Sequence, residues 1–179
     1  MEGTHEFHAG RLRLAPEAVE ALRARFPSDS APEWAVEDAY EGGWIEVNRH
    51  YLHNEQERGA QSMRALMETL GVEAPVSVEE ALDLIELAVH VFVPAEGFQG
   101  GTTRTAQNEL RIVNPYCPVF RAIEERNWRG VTACPSWHVR RGWLDALEVN
   151  ATDSVMGEKK WGDPACACVI RVEALAVAV

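Results

Sequence analysis

The chain has 179 residues, 46% of them hydrophobic and 25% charged, with a formal net charge of -11; it is long enough for one domain with a substantial core and too short for two comfortable ones. The balance is that of a soluble globular protein and excludes disordered and membrane classes, with no apolar run near bilayer length. The acidic balance repels a phosphate backbone, so no nucleic acid is expected as a partner. Met1 to Arg13 hold no hydrophobic block of signal-peptide kind, which makes the cytoplasm the expected location. Without an export signal, the four cysteines read as thiols or ligands, not as a disulfide frame.

Pro16 to Phe26 has helical apolar spacing with Pro16 in the first turn, and Pro27-Ser28-Asp29-Ser30 ends it. A longer helix, capped by Asp29 or Ser30, is expected to reach about Glu57, with Tyr40, Trp44, Val47 and Tyr51 as its apolar stripe and Ile45 and Leu52 widening it. Another covers Ser62 to Leu70 and stops at Gly71. Ser77-Val78-Glu79-Glu80 is a capping-box pattern that opens a helix through Leu82, Ile85 and Leu87. At Val89 the character changes. Val89-His90-Val91-Phe92-Val93 is β-branched and aromatic, and Glu109-Leu110-Arg111-Ile112-Val113 alternates, which predicts two strands of a hairpin. The Gly- and Thr-rich segment from Gly97 to Thr105 reads as a long loop of the kind that closes over ligands.

A helix is expected from Asn114-Pro115 to about Asn127 and another from Pro135 to about Leu147. Strands are expected at Leu147 to Thr152 and Cys166 to Val172. No repeat, low-complexity tract or linker interrupts the chain. Residues 1–179 therefore read as one α+β domain. A helical N-terminal half, about 16–88, packs on a small, mainly antiparallel sheet, about 89–179, with inserted helices.

Two Cys-Pro dipeptides stand at expected helix starts. Proline disfavours helical geometry in the residue before it, so Cys134 is suited to an N-cap, where the helix dipole favours a thiolate. His138, four residues on, is then positioned either to form a thiolate–imidazolium pair with it or to share a metal. The plain alternative is a buried thiol and a surface histidine. Cys117 lies at the cap or inside the first turn of its helix, and its distance from Cys134 matches no compact zinc finger. On the last strand Cys166, Cys168, Ile170 and Val172 share the core face, with Cys166 at the entrance within reach of a site at the sheet's end. Glu46, His50, His53 and Glu57 have metal-ligand chemistry, but their stripe lies opposite the apolar arc and faces solvent; no matching Glu-x-x-His stands on another helix. His90 reads as a core or edge histidine. Trp128, Trp137, Trp143 and Trp161 suggest a pocket wall or simply a large core.

Several short motifs carry a resemblance. Ala39-Tyr40-Glu41-Gly42-Gly43-Trp44 with Val47, Met67 through Leu70-Gly71 and Ser77-Val78-Glu79-Glu80-Ala81-Leu82 come first. Cys117 before a helix, Cys134 after a Gly-containing turn, and Gly162-Asp163-Pro164-Ala165-Cys166 before a strand complete it. Over about Trp34 to Val172 the chain resembles the L-2-amino-thiazoline-4-carboxylic acid hydrolase-like family and is more distantly similar to 4-vinyl reductase type small-molecule-binding domains. Zinc-binding members of the latter resemble a Glu-x-x-Cys pair ahead of the final Gly-Asp-x-x-Cys; here Asp153-Ser154-Val155-Met156-Gly157-Glu158 lacks the cysteine. The resemblance implies an α+β domain with a pocket near Cys117, Cys134 and Cys166. The expected activity is hydrolysis of a ring or C-N bond in a small sulfur- and nitrogen-containing molecule. Cys134 would be nucleophile or ligand, His138 its base or co-ligand and Cys117 a second thiol. The alternative is a non-catalytic small-molecule sensor in which Cys117, Cys134 and Cys166 are structural or hold a metal such as zinc. Assembly as a homo-oligomer stays open.

Overall fold

The computed structural model describes residues 7–27, 44–93, 101–115 and 135–175, and of residues 44–52, 135 and 160 the backbone only. Strands β1 (Phe7–Ala9) and β2 (Leu12–Leu14) form a small hairpin that sequence reading did not anticipate. Each is three residues, below the length at which alternation is visible. Its turn is Gly10-Arg11, with Gly10 at a φ of +52° that glycine accepts without strain. Helix α1 (Pro16–Arg25) starts on Pro16, as expected.

Helix α2 (Trp44–Leu70) is one continuous helix. The expected break between Glu57 and Ser62 does not occur, because Gly59 serves a close helix contact and not a terminus. Gly71 ends it at a φ of +69°. Helix α3 (Val78–Phe92) opens as its capping pattern predicts: the Glu80 N–H donates to Ser77 Oγ at 3.1 Å. The return bond goes from the Val76 N–H to Glu80 Oε2 at 2.7 Å, one residue earlier than the usual box.

The strand expected at Val89–Val93 is instead the last turn of α3. Val89, Val91 and Phe92 are buried there, as are Ala81 through Ile85, so the helix is buried on nearly every side. Packing on all sides overrides the β preference of its valines. Its end is held by α1: Arg23 Nε donates to Val91 O and Nη2 to His90 O, each at 2.9 Å. An arginine thus satisfies carbonyls that a helix terminus leaves open.

The expected long loop is also corrected. Strand β3 (Gly101–Ala106) occupies its second half and pairs with β4 (Glu109–Asn114) through the tight turn Gln107-Asn108. Helix α4 (Pro135–Ala146) and strand β5 (Val149–Gly157) follow, then a 3-10 turn at Lys159–Trp161 and strand β6 (Cys166–Leu175). The sheet is antiparallel in the order β3-β4-β6-β5. The helix expected after Asn114-Pro115 lies outside the described residues.

The architecture is therefore the expected α+β arrangement of helices on an antiparallel sheet. Helix α3 lies at the centre. Leu82, Leu84, Ile85 and Leu87 form one core with Val19 and Leu22 of α1, Met63 and Leu66 of α2, and Trp143 and Leu144 of α4. From the sheet come Leu110, Ile112, Cys168, Ile170 and Val172, the face that strand parity assigns. Among the described residues no helix is long and apolar enough to cross a membrane.

Candidate functional site

The expected site depends on where α4 starts and what it leans on. A Cβ placed on Gly59 of α2 would lie 2.2 Å from Val139 O, and one on Gly142 of α4 would lie 2.0 Å from Gln56 O. The two backbones are in direct contact, which only glycine on each helix permits. Side chains fix the crossing. Trp143 Nε1 donates to Ser62 Oγ at 3.1 Å, the buried Ser62 hydroxyl donates to Gly59 O at 2.8 Å, and Gln56 Nε2 donates to Asp145 Oδ2 at 2.6 Å. On the other side of α4, Arg140 Nε meets Asp153 Oδ2 of β5 at 2.8 Å. That pair ties the helix to the edge of the sheet.

His138 lies in the first turn of α4, half-buried, its ring edge-on to Trp137 at a centroid distance of 4.8 Å. Trp137 is 36% exposed. Burial holds the imidazole below its ordinary value, and the charge of Glu55 on α2 partly opposes that. Burial therefore favours the neutral ring, the form that is able to accept a proton. The Glu55 side chain is only 13% exposed and is gripped by Arg58, with Nη2–Oε2 at 2.6 Å and Nε–Oε1 at 3.2 Å. A forked pair of this kind holds a carboxylate in one orientation.

Of the expected thiols, Cys117 and Cys134 lie outside the described residues. Helix α4 does begin at Pro135, the residue after Cys134. Cys166 opens β6 opposite Asn114, half-buried, and its sulfur accepts from the Lys159 N–H at 3.5 Å. Lys159 Nζ in turn donates to Pro115 O at 2.8 Å. The strand entrance is therefore tied to Pro115, two residues before Cys117 in sequence. Cys168 is buried in the core, as parity predicts. Of the metal set Cys117, Cys134 and Cys166, only the last is described. Among the described residues no group of three or more His, Cys, Asp or Glu is arranged to hold a metal. His53 and Glu57 are exposed and pair at 3.3 Å, in keeping with an outward stripe; the Glu46 and His50 side chains lie outside the described ones.

Two groups of polar residues were not anticipated. One is Glu55 with Arg58. The other lies on α3, where Asp83, Glu86 and His90 share one face. Arg104 Nη2 meets Asp83 Oδ1 at 2.6 Å, Thr102 Oγ1 donates to Glu86 Oε1 at 2.6 Å, and Thr102 Oγ1 lies 3.4 Å from His90 Nε2. Reading Val89–Val93 as a strand hid this spacing.

No family model matches the chain, and no curated protein matches it. Among solved structures it is similar to a trafficking protein particle complex subunit 3 from Naegleria fowleri, in a structure described as covalently bound to palmitic acid. That likeness has 15% identity over 88% of this chain and 96% of the other, with a TM-score of 0.52. It shows a shared fold. A structure from the H-NOX family, described as probing heme distortion, covers 88% of this chain and 90% of its own at 11% identity. Its TM-score of 0.42 is too low to carry structural meaning.

Proposed function

We propose that the protein is a small-molecule hydrolase that cleaves a ring or C-N bond of a sulfur- and nitrogen-containing substrate, as its resemblance to the L-2-amino-thiazoline-4-carboxylic acid hydrolase-like family implies. The observation that carries the reading is the start of α4 at Pro135, with a half-buried His138 in its first turn whose proton affinity burial lowers. In this reading Cys134 adjoins the positive end of the helix, which favours its thiolate. His138 takes the thiol proton, the sulfur adds to the substrate carbon, and the C-N bond breaks as the nitrogen receives that proton. Water then cleaves the carbon–sulfur bond, giving a C–OH product and restoring the thiol. Cys117 serves as a second thiol beside the reacting carbon.

The test is turnover of 2-amino-thiazoline-4-carboxylic acid by the wild type and by Cys134→Ala, Cys117→Ala and His138→Gln. Loss of turnover in Cys134→Ala and Cys117→Ala with unchanged thermal unfolding is expected. His138→Gln should lower the rate by roughly 10²-fold or more, the usual scale for a general base. Full activity in both cysteine variants overturns the reading.

One observation favours a second reading, a binding domain without turnover: the trafficking-complex subunit that shares the fold carries palmitic acid as a covalent adduct. Intact-mass analysis of protein purified without added ligand separates the two. A hydroxylamine-sensitive acyl adduct on Cys117 or Cys134 supports the binding reading, whereas stoichiometric zinc in elemental analysis assigns Cys117, Cys134 and Cys166 to a metal.

A further inference from the structure

We infer that the sheet is guarded against the addition of a further strand, by an arginine that turns inward from edge strand β3 and by a broken register along edge strand β5. In the order β3-β4-β6-β5 these are the two outer strands. An outer strand presents backbone N–H and C=O groups that a strand of a second copy of this chain can pair with. Strand β3, Gly101–Ala106, holds no large aliphatic residue. Its Thr102 lies opposite Ile112 and its Arg104 opposite Leu110, both buried, so these two polar side chains share the face that packs on the helices. Both are held there by α3. Arg104 Nη2 meets Asp83 Oδ1 at 2.6 Å and its Nε lies 3.4 Å from Glu86 Oε2, while Thr102 Oγ1 donates to Glu86 Oε1 at 2.6 Å.

These ions keep part of their water: the side chains of Arg104, Glu86 and Asp83 are 30%, 21% and 11% exposed. A strand laid along β3 would set its own side chains over them and strip that hydration without supplying a charged partner. The group therefore satisfies the isolated fold and opposes its extension. A register shift between Arg104 and Ala106 bends the same edge. At β5 the balance differs. Its inward charge, Asp153, lies opposite Ile170 and is 2% exposed beside Arg140, so it has little water left to lose. There the irregular register is the guard. Shifts between Asn150 and Ala151 and between Val155 and Gly157 confine regular geometry to Ala151 through Val155, and Met156, the extra residue of the second shift, is 67% exposed. Bulges of this kind twist a strand away from a straight partner.

The experiment compares the wild type, Arg104→Lys and a triple variant, Asp83→Asn with Glu86→Gln and Arg104→Met, which removes the charges and keeps the side-chain lengths close. Circular dichroism shows whether each is folded, sedimentation velocity from micromolar to millimolar protein gives its size, and amide hydrogen exchange follows β3. In the wild type and Arg104→Lys, exchange of the β3 amides that point away from β4 is expected not to depend on concentration. In the folded triple variant those amides should slow as concentration rises and the average mass should roughly double, as an unguarded edge pairs with a second copy. A folded triple variant with wild-type size and exchange overturns the proposal. Equal association of Arg104→Lys also overturns it, by tracing the effect to lost packing and not to charge. Where the triple variant does not fold, the wild type decides: β3 amides that slow with concentration show an edge open to strands and overturn the proposal, whereas constant exchange supports it. Amides elsewhere in the chain report assembly through other surfaces separately.

Discussion

Asp83 shows how much one buried carboxyl can organise. It is 7% exposed, and burial raises its proton affinity against the opposing pull of Arg104 and of the Arg11 N–H in the β1–β2 turn. One carboxylate thus joins α3, the N-terminal hairpin and the edge strand β3. The hairpin turn comes so close that a Cβ on Gly10 would fall 1.9 Å from Asp83 Oδ2. A flexible side chain would swing away, but Asp83 is held by Arg104 at 2.6 Å. Gly10→Ala is therefore expected to destabilise the fold by about 1–3 kcal/mol, from overpacking and a disfavoured φ together. Urea unfolding checks this, and an unchanged midpoint would show that the hairpin moves aside freely.

At the scale of elements, the sequence is legible where the signal is local. Pro16 opens α1, Ser77 and Glu80 open α3, and the Cys-Pro dipeptide marks the start of α4. It is misleading where long-range packing decides. Val89 to Phe92 carry strand propensity yet complete a helix that is buried on nearly every side, and Gly59 reads as a break but is a contact point. The same limit applies to the site. His138 could be singled out from its place after Cys134, whereas the α2–α4 crossing through Gly59 and Gly142 is one that no local pattern encodes. That crossing makes a sharp prediction. At Gly142 an added methyl would meet backbone of α2 at 2.0 Å, which no rotamer change relieves. Gly142→Ala should therefore cost at least as much as Gly10→Ala, near or above the upper end of the roughly 1–3 kcal/mol range for overpacking. Thermal unfolding reads the effect, and a wild-type value would mean the helices do not cross this closely.

For the molecule as a whole, the half-buried imidazoles give stability a pH dependence whose sign can be worked out. His90 and His138 are both held below their ordinary value of 6.5, in each case chiefly by burial. Glu86 opposes the shift at His90 while His8 adds to it, and Glu55 opposes it at His138. As pH falls through 6.5 the unfolded chain takes up protons that the folded chain refuses, so stability declines until the folded-state values are passed. Asp83 works in the opposite sense. Its raised carboxyl binds a proton earlier in the folded chain, so acidification relieves a cost in the window between its folded value and 3.8. The histidine window begins higher on the pH scale, and loss on mild acidification is the first expected change. The wild type should accordingly show a lower urea midpoint at about pH 5.5 than at about pH 7.5. His90→Gln with His138→Gln removes both groups and should flatten that difference, while Asp83→Asn should leave the histidine-driven loss in place. A double variant as acid-sensitive as the wild type would move the origin of the effect away from the α3 and α4 histidines.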